Sequence, residues 1–140
     1  MAEQKKVYEK PLPTPSALTK QFWDGCKRHE LLVQRCTNCG DLRWIPEEFC
    51  LDCLSTDYEW AKMSGEGKVY TFTIVRRPPT AAFQEGIPYV VAFVELKEGP
   101  RMMTNIVNCD PDEVKIGMPV RVYFDDVTDD VTLPKFEPIP

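Results

Sequence analysis

Residues 36–53 read CTNCGDLRWIPEEFCLDC, and the spacing of the cysteines in that stretch decides the fold. Cys36 and Cys39 are separated by two residues, as are Cys50 and Cys53, and ten residues lie between the pairs. Two intervening residues let one tight turn aim both sulfurs at a single ion. Gly40, directly after Cys39, suits the left-handed backbone such a turn needs. Four thiolates in a tetrahedral array make a closed Zn²⁺ site with no open position for water or substrate. An 18-residue segment has too little core to fold unaided, whereas a structural zinc contributes on the order of 10 kcal/mol in small peptides. The expected ligands are therefore Cys36, Cys39, Cys50 and Cys53. Iron in a rubredoxin-type site fits the same S₄ geometry; zinc is preferred because no partner redox group is evident. The alternative of two disulfides needs an oxidising compartment. The N-terminal MAEQKKVYEK lacks the apolar segment of a secretory signal, and no apolar run approaches the ~20 residues of a bilayer span. The expectation is thus a cytoplasmic protein in a reducing milieu, without a membrane partner.

Towards the N-terminus, YEKPLPTP over residues 8–15 carries three prolines at alternate positions, which favour an extended polyproline-like arm. Ser16 offers a helix-capping hydroxyl. Leu18, Phe22, Trp23 and Cys26 then recur at spacings of three and four, predicting an amphipathic helix of about four turns over 16–30. Gly25 within it costs ~1 kcal/mol relative to alanine. Its apolar face either packs on the chain's own core or docks on a partner. Leu31–Arg35 reads as a strand into the first cysteine pair, and Asp57–Met63 as a strand leaving the second.

Towards the C-terminus, Ser64–Gly67 reads as a turn, and strand signals follow. Lys68–Arg77 alternates with apolar or β-branched residues on both faces, so both faces are expected to be covered. Tyr89–Leu96 and Arg101–Val107 form a hairpin across Glu98-Gly99-Pro100. Asp110–Ile116 reads as a loop or one helical turn, Pro119–Phe124 as a fourth strand and Val131–Phe136 as a short fifth. Five short strands with such an insertion fit a Greek-key barrel of OB type. The fold class is therefore mostly β: an extended arm (1–15), a helix (16–30), a zinc ribbon (31–63), a five-stranded OB-fold barrel (64–137) and a tail (138–140).

Other candidates are weaker. Cys26 and the one histidine, His29, stand three apart on the expected helix, the spacing of a nucleophile–base pair; the alternative is that Cys26 is a small core residue. Cys109 precedes Asp110-Pro111 and reads as structural. Asp125, Asp126, Asp129 and Asp130 lack the glycine and glutamate of a calcium loop and read as a solvated turn, one Asp capping backbone. Lys62, Lys68, Arg76 and Arg77 would have to converge to hold a CoA phosphate; otherwise they are a scattered rim. The net charge of −5 divides into +3 over residues 1–35 and −8 over 36–140. An acidic barrel is a poor partner for phosphate backbones, although Tyr70, Phe72, Tyr89 and Phe93 could stack bases if exposed.

Taken in order, FWDG (22–25), LLVQRCTNCG (31–40), FCLDCLS (49–55), SGEGKVYTFTIVRRP (64–78), PYVVAFVELKEGPRMMTNIV (88–107), IGMPVRVYF (116–124) and DDVTDDVTLPKF (125–136) resemble one family over roughly residues 16–137. It is the rubredoxin-like zinc ribbon plus OB-fold family of acyl-CoA-associated proteins, first described as a domain of unknown function. The resemblance maps the family's four ribbon cysteines onto Cys36, Cys39, Cys50 and Cys53. It implies a structural Zn²⁺ and a non-catalytic subunit of a thiolase-like enzyme that cleaves or condenses acyl-CoA thioesters. The larger, thiolase-fold partner would carry the catalytic groups, and the small subunit would stabilise it and help shape the acyl-CoA pocket. No CoA-binding residue of the family maps onto a particular position. The competing functional classes are a nucleic-acid-binding module and a stand-alone acyl-CoA-binding protein or small enzyme.

Overall fold

A computed structural model describes residues 8–140; the beginning of the expected arm, residues 1–7, lies outside them. In chain order the elements are α1 (Lys20–Lys27), β1 (Leu32–Cys36), β2 (Leu42–Arg43), β3 (Tyr58–Lys62), β4 (Glu66–Val75), β5 (Tyr89–Leu96), β6 (Arg101–Ile106), β7 (Pro119–Asp126) and β8 (Thr132–Pro138), with 3₁₀ turns at Ala81–Gly86 and Pro111–Glu113. β1 is the centre of a three-stranded antiparallel sheet, β2-β1-β3, and the later strands close into a barrel in the order β4-β5-β6-β8-β7. All barrel pairings are antiparallel except the seam between β6 and β8, where Ile106 faces Phe136 in parallel. This is the five-stranded Greek-key barrel expected from the sequence.

The helix is shorter than its periodicity suggests. At its start, Ser16 N–H donates to Thr19 Oγ1 (2.9 Å) and Thr19 N–H to Ser16 Oγ (3.2 Å), so the cap hydroxyl belongs to a turn that precedes α1. At its end, Glu30 N–H reaches back to Gly25 O (2.8 Å) and His29 N–H to Cys26 O (2.9 Å), with His29 at φ +62°. This is a Schellman stop in which histidine occupies the left-handed position usually held by glycine. The apolar face is used internally. Phe22 and Cys26 are buried, Trp23 packs beside them, and α1 touches β1, β7 and β8. Gly25 permits this approach: a Cβ there would lie 2.8 Å from Leu32 Cδ1 and 3.0 Å from Glu30 O. Beyond the helix, the His29 ring stacks on Phe124 (5.2 Å, 11°), and Nε2 lies 3.1 Å from both Asp126 carboxylate oxygens. Of the two readings of this helix, packing on its own chain is the one found; it is not free docking material.

β4 corrects a second expectation. The strand begins at Glu66, inside the expected turn, and its pairing with β5 slips between Val69 and Thr71. A bulge changes by one the residues that face inward. Val69 is therefore buried before the slip, whereas Phe72 and Ile74 pack inward after it; Tyr70, Thr71 and Thr73 stay exposed. The apolar character on both apparent faces comes from one bulge, not from cover on two sides. Beside it, a Cβ on Gly67 would sit 2.5 Å from Glu95 O, so only glycine lets β4 and β5 approach here.

One continuous core joins the parts. Phe22 and Cys26 of α1, Leu31 and Val33 at β1, Ala61 and Met63 at β3, and Val69, Val94, Met102, Val120 and Phe136 of the barrel belong to a single buried cluster.

The latch on the helix end is electrostatic in part. The Asp126 carboxyl is held below its ordinary value first by the Thr132 hydroxyl and then by His29. A depressed carboxylate stabilises the fold above its unfolded value of ~3.9 and stops doing so as pH falls through the folded value. Asp126→Asn should therefore melt earlier than the wild type at pH 7, and the gap should narrow as pH falls below ~3.9, in paired thermal melts across that range.

Candidate metal centre

The four cysteines come from two knuckles of matching construction. In the first, Gly40 N–H donates to Cys36 O (2.8 Å) and Cys36 N–H to Asp41 O (2.8 Å). In the second, Leu54 N–H donates to Cys50 O (2.8 Å) and Cys50 N–H to Ser55 O (2.8 Å). Both turns close through a left-handed residue after the second cysteine: Gly40 at φ +79° and Leu54 at φ +63°. The glycine was readable in the sequence; nothing in Leu54's chemistry announces its conformation.

The knuckles bring all four Sγ atoms within 4.8 Å of one another. Cys36 lies 3.5 Å from Cys53, and Cys39 lies 3.6 Å from Cys50. A tetrahedral zinc with Zn–S bonds of ~2.3 Å requires sulfur separations of about 3.8 Å, so the donor set fits that ion. None of the six cysteines is in a disulfide. The electrostatics point the same way. The Asn38 side chain and the Ser55 backbone donate to Cys53 and pull its thiol down to about 6. Cys39 receives a lowering bond from the Asp41 backbone, yet desolvation and the three neighbouring sulfurs outweigh it and push the thiol up to about 12. One thiolate among these sulfurs is favoured by its neighbours' S–H groups, but further ionisation is opposed unless a cation shares the charge.

Sequence reasoning missed the clamp that holds the loop between the knuckles. Gln34, fully buried in β1, accepts from Arg43 Nε (2.7 Å) and from Glu47 N–H (2.8 Å) through one oxygen. Arg43 also donates from Nη2 to Glu47 O (3.3 Å) and lies over the Tyr58 ring. A glutamine in a strand of apolar residues was the available signal.

The remaining candidates do not assemble. Cys26 has no solvent exposure, and burial pushes its thiol up to about 12. The His29 ring is turned to Asp126 and Phe124. The helical spacing of these two residues therefore yields no nucleophile–base pair. Cys109 is half-buried, its thiol raised by burial and then by Glu113 and Asp110. Lys68 and Arg76 are separated by nearly the whole of β4, about 26 Å at ~3.3 Å per residue; Lys68 pairs with Glu95 (3.6 Å) and Arg76 with Asp112 (3.2 Å). The acidic run is divided as well: Asp125 pairs with Lys135 (2.6 Å), and Asp126 holds His29 and Thr132. Thr128 caps that turn, accepting from the N–H groups of Asp130 and Val131.

Comparison with known proteins adds to this geometry. Residues 23–59 match the model of the ChsH2 rubredoxin-like zinc ribbon domain, and residues 60–125 match that of the ChsH2 C-terminal OB-fold domain. A "Probable enoyl-CoA hydratase alpha subunit" from Thermomonospora curvata is 38% identical over 136 residues, 97% of this chain and 42% of the relative. The chain thus spans about two fifths of that relative's length. A DUF35 domain-containing scaffold protein from Methanocaldococcus jannaschii is 41% identical over 105 residues, covering 74% of each chain. The benzoylsuccinyl-CoA thiolase subunit BbsA of Geobacter metallireducens is 31% identical over 102 residues, 66% of this chain and 65% of the relative. Among solved structures, the Ltp2-ChsH2(DUF35) aldolase contains a chain that superposes with a TM-score of 0.82 at 38% identity, covering 91% of this chain and 98% of that one.

Zinc removal tests the site directly. The purified, reduced protein should carry one zinc per chain by elemental analysis. Cys50→Ser should lose it and unfold the ribbon, lowering stability by several kcal/mol at least, whereas Cys109→Ser should retain the metal and melt within about 1 kcal/mol of the wild type.

Proposed function

The chain belongs to the ChsH2 (DUF35) zinc-ribbon and OB-fold family, and from that premise we propose that it is the non-catalytic, zinc-stabilised accessory subunit of an acyl-CoA enzyme with a thiolase-type catalytic subunit. Cys36, Cys39, Cys50 and Cys53 hold the zinc. Saturated by four sulfurs, the ion has no open coordination position at which to polarise a substrate or activate water. Its work is to fix the ribbon. The observation that carries the reading is the disposition of the titratable groups: four sulfurs are gathered into one cluster, the Cys26 thiol is fully buried, and the ring of the single histidine faces Asp126. Bond making and breaking then falls to a partner. The relatives' names support this choice, being subunits of a CoA hydratase and a CoA thiolase, a scaffold protein, and one component of an aldolase assembly.

The catalytic subunit supplies the nucleophile and base for C–C cleavage or condensation of an acyl-CoA. This chain stabilises that subunit and contributes one wall of the acyl-CoA pocket. The complex is cytoplasmic; among the described residues no helix is long and apolar enough to cross a membrane.

Co-expression with the thiolase-fold subunit of the same organism should give a single complex by size-exclusion chromatography with light scattering. That complex should cleave a 3-oxoacyl-CoA in the presence of free CoA, whereas the isolated chain should show no turnover. Thiolysis by the 140-residue chain alone would overturn the assignment.

A further inference from the structure

Between the ribbon and the barrel runs an open cleft of about 590 Å³. One wall is Ile45 and Leu51 from the loop between the knuckles and the second knuckle itself; the other is Phe93 and Met103, directly opposed across β5 and β6. Ile45, Leu51 and Met103 are each more than half exposed, at 55%, 69% and 53%. Large apolar residues gathered on a surface mark a contact site more often than scattered ones do. Arg43 also lines the cleft and is 8% exposed. Its guanidinium has only neutral acceptors, Gln34 Oε1 and Glu47 O; among the described residues no carboxylate lies within ion-pair distance, and Nη1 is buried with no partner. Buried charges are ordinarily paired. The neighbouring Arg101 is already engaged, donating to Glu95 (3.1 Å) and lying 3.8 Å from the Tyr70 ring centre.

We infer that this cleft is the docking surface for the catalytic subunit, and that it receives a segment bearing large apolar side chains beside a carboxylate. The inference rests on the accessory-subunit reading above. The apolar walls accept the side chains, and the carboxylate sits within the field of Arg43, which among the described residues is in no ion pair and feels only the longer-range charge of Asp41. A single-stranded nucleic acid fits less well. It asks for successive aromatic platforms and free cations along a groove; of the cleft's two arginines Arg43 is buried and Arg101 is engaged by Glu95, the most exposed lining residues, Ile45, Leu51 and Met103, are not aromatic, and residues 36–140 carry a balance of −8.

The test uses the full chain and the purified thiolase-fold subunit, with affinity measured by calorimetry. Leu51→Glu and Met103→Glu alter exposed positions, so both should keep zinc and the wild-type melt while weakening association by about tenfold or more. Ile116→Glu, at a 70% exposed position outside the cleft, should change affinity by no more than about twofold. Met103→Lys should lose less than Met103→Glu, because a partner carboxylate repels only the latter; equal losses would overturn the carboxylate. If the wild type binds and the cleft variants bind equally well, the cleft assignment fails while the subunit reading stands. If the wild type does not bind the thiolase-fold subunit at all, both fail. Micromolar binding of a labelled 20-nucleotide poly(U) RNA that Leu51→Glu abolishes, or a wild-type dimer that Leu51→Glu dissociates, would reassign the cleft to RNA or to a second copy.

Discussion

Four sulfurs crowded to within 4.8 Å of one another set the terms for everything around them. Left without a cation they cannot all ionise together: Cys53 is pulled down to about 6 while its sulfur neighbours help push Cys39 up to about 12. Sharing one dication converts that mutual repulsion into attraction. The consequence reaches past the ribbon because Cys36 is the last residue of β1, whose Leu32 and Val33 are buried. Whatever fixes Cys36 also fixes the register of the central strand. Through the pairing of β1 with β3 it fixes the point at which the chain enters the barrel.

Much of this was readable in residues whose chemistry is local. Cysteine spacing carries its own geometry, and Tyr89–Leu96, bounded by Pro88 and by the turn at Glu98-Gly99-Pro100, is a strand both in the sequence and in the fold. The larger misreadings have a different cause: they turned on contacts made elsewhere in the chain. The helix stops at Lys27 because the backbone turns back at His29, and that ring is met by Phe124 and Asp126 from β7. No glycine marks the stop. The bulge after Val69 exists because β4 must follow both β5 and β7 around a closed barrel, a demand invisible to two-residue periodicity. The Gln34 clamp is likewise tertiary, one oxygen meeting two donors, from β2 and from the loop after it, 9 and 13 residues away.

In the candidate site, the four cysteines that the fold gathers were legible and their surroundings were not. Four cysteines can be counted in a string of letters. The buried guanidinium of Arg43 cannot be told from any other surface arginine until β2 is laid against β1, with Gln34 opposite Arg43. The same holds for Phe93 and Met103. Their alternation puts them on the outer face of a barrel, where polar residues are the usual choice, and only the ribbon's position across from them turns two exposed residues into one side of a cleft.

The continuity of the core bears on how such a cleft would bind. Had the ribbon and the barrel been separate bodies on a linker, closing them around a partner would have required ordering one against the other. Instead α1, β1, β3 and the barrel strands share one buried cluster, and Met63 N–H bonds to Leu31 O (2.8 Å) where the ribbon passes into the barrel. The two walls are thereby held at a set spacing before anything arrives. Preorganisation lowers the entropic cost of association, so a modest contact area on such a scaffold can support a stable complex. A ribbon that loses its metal would lose one wall of the cleft. The structural ion and the proposed contact surface are therefore physically coupled, although the sulfurs and the cleft are built from different side chains.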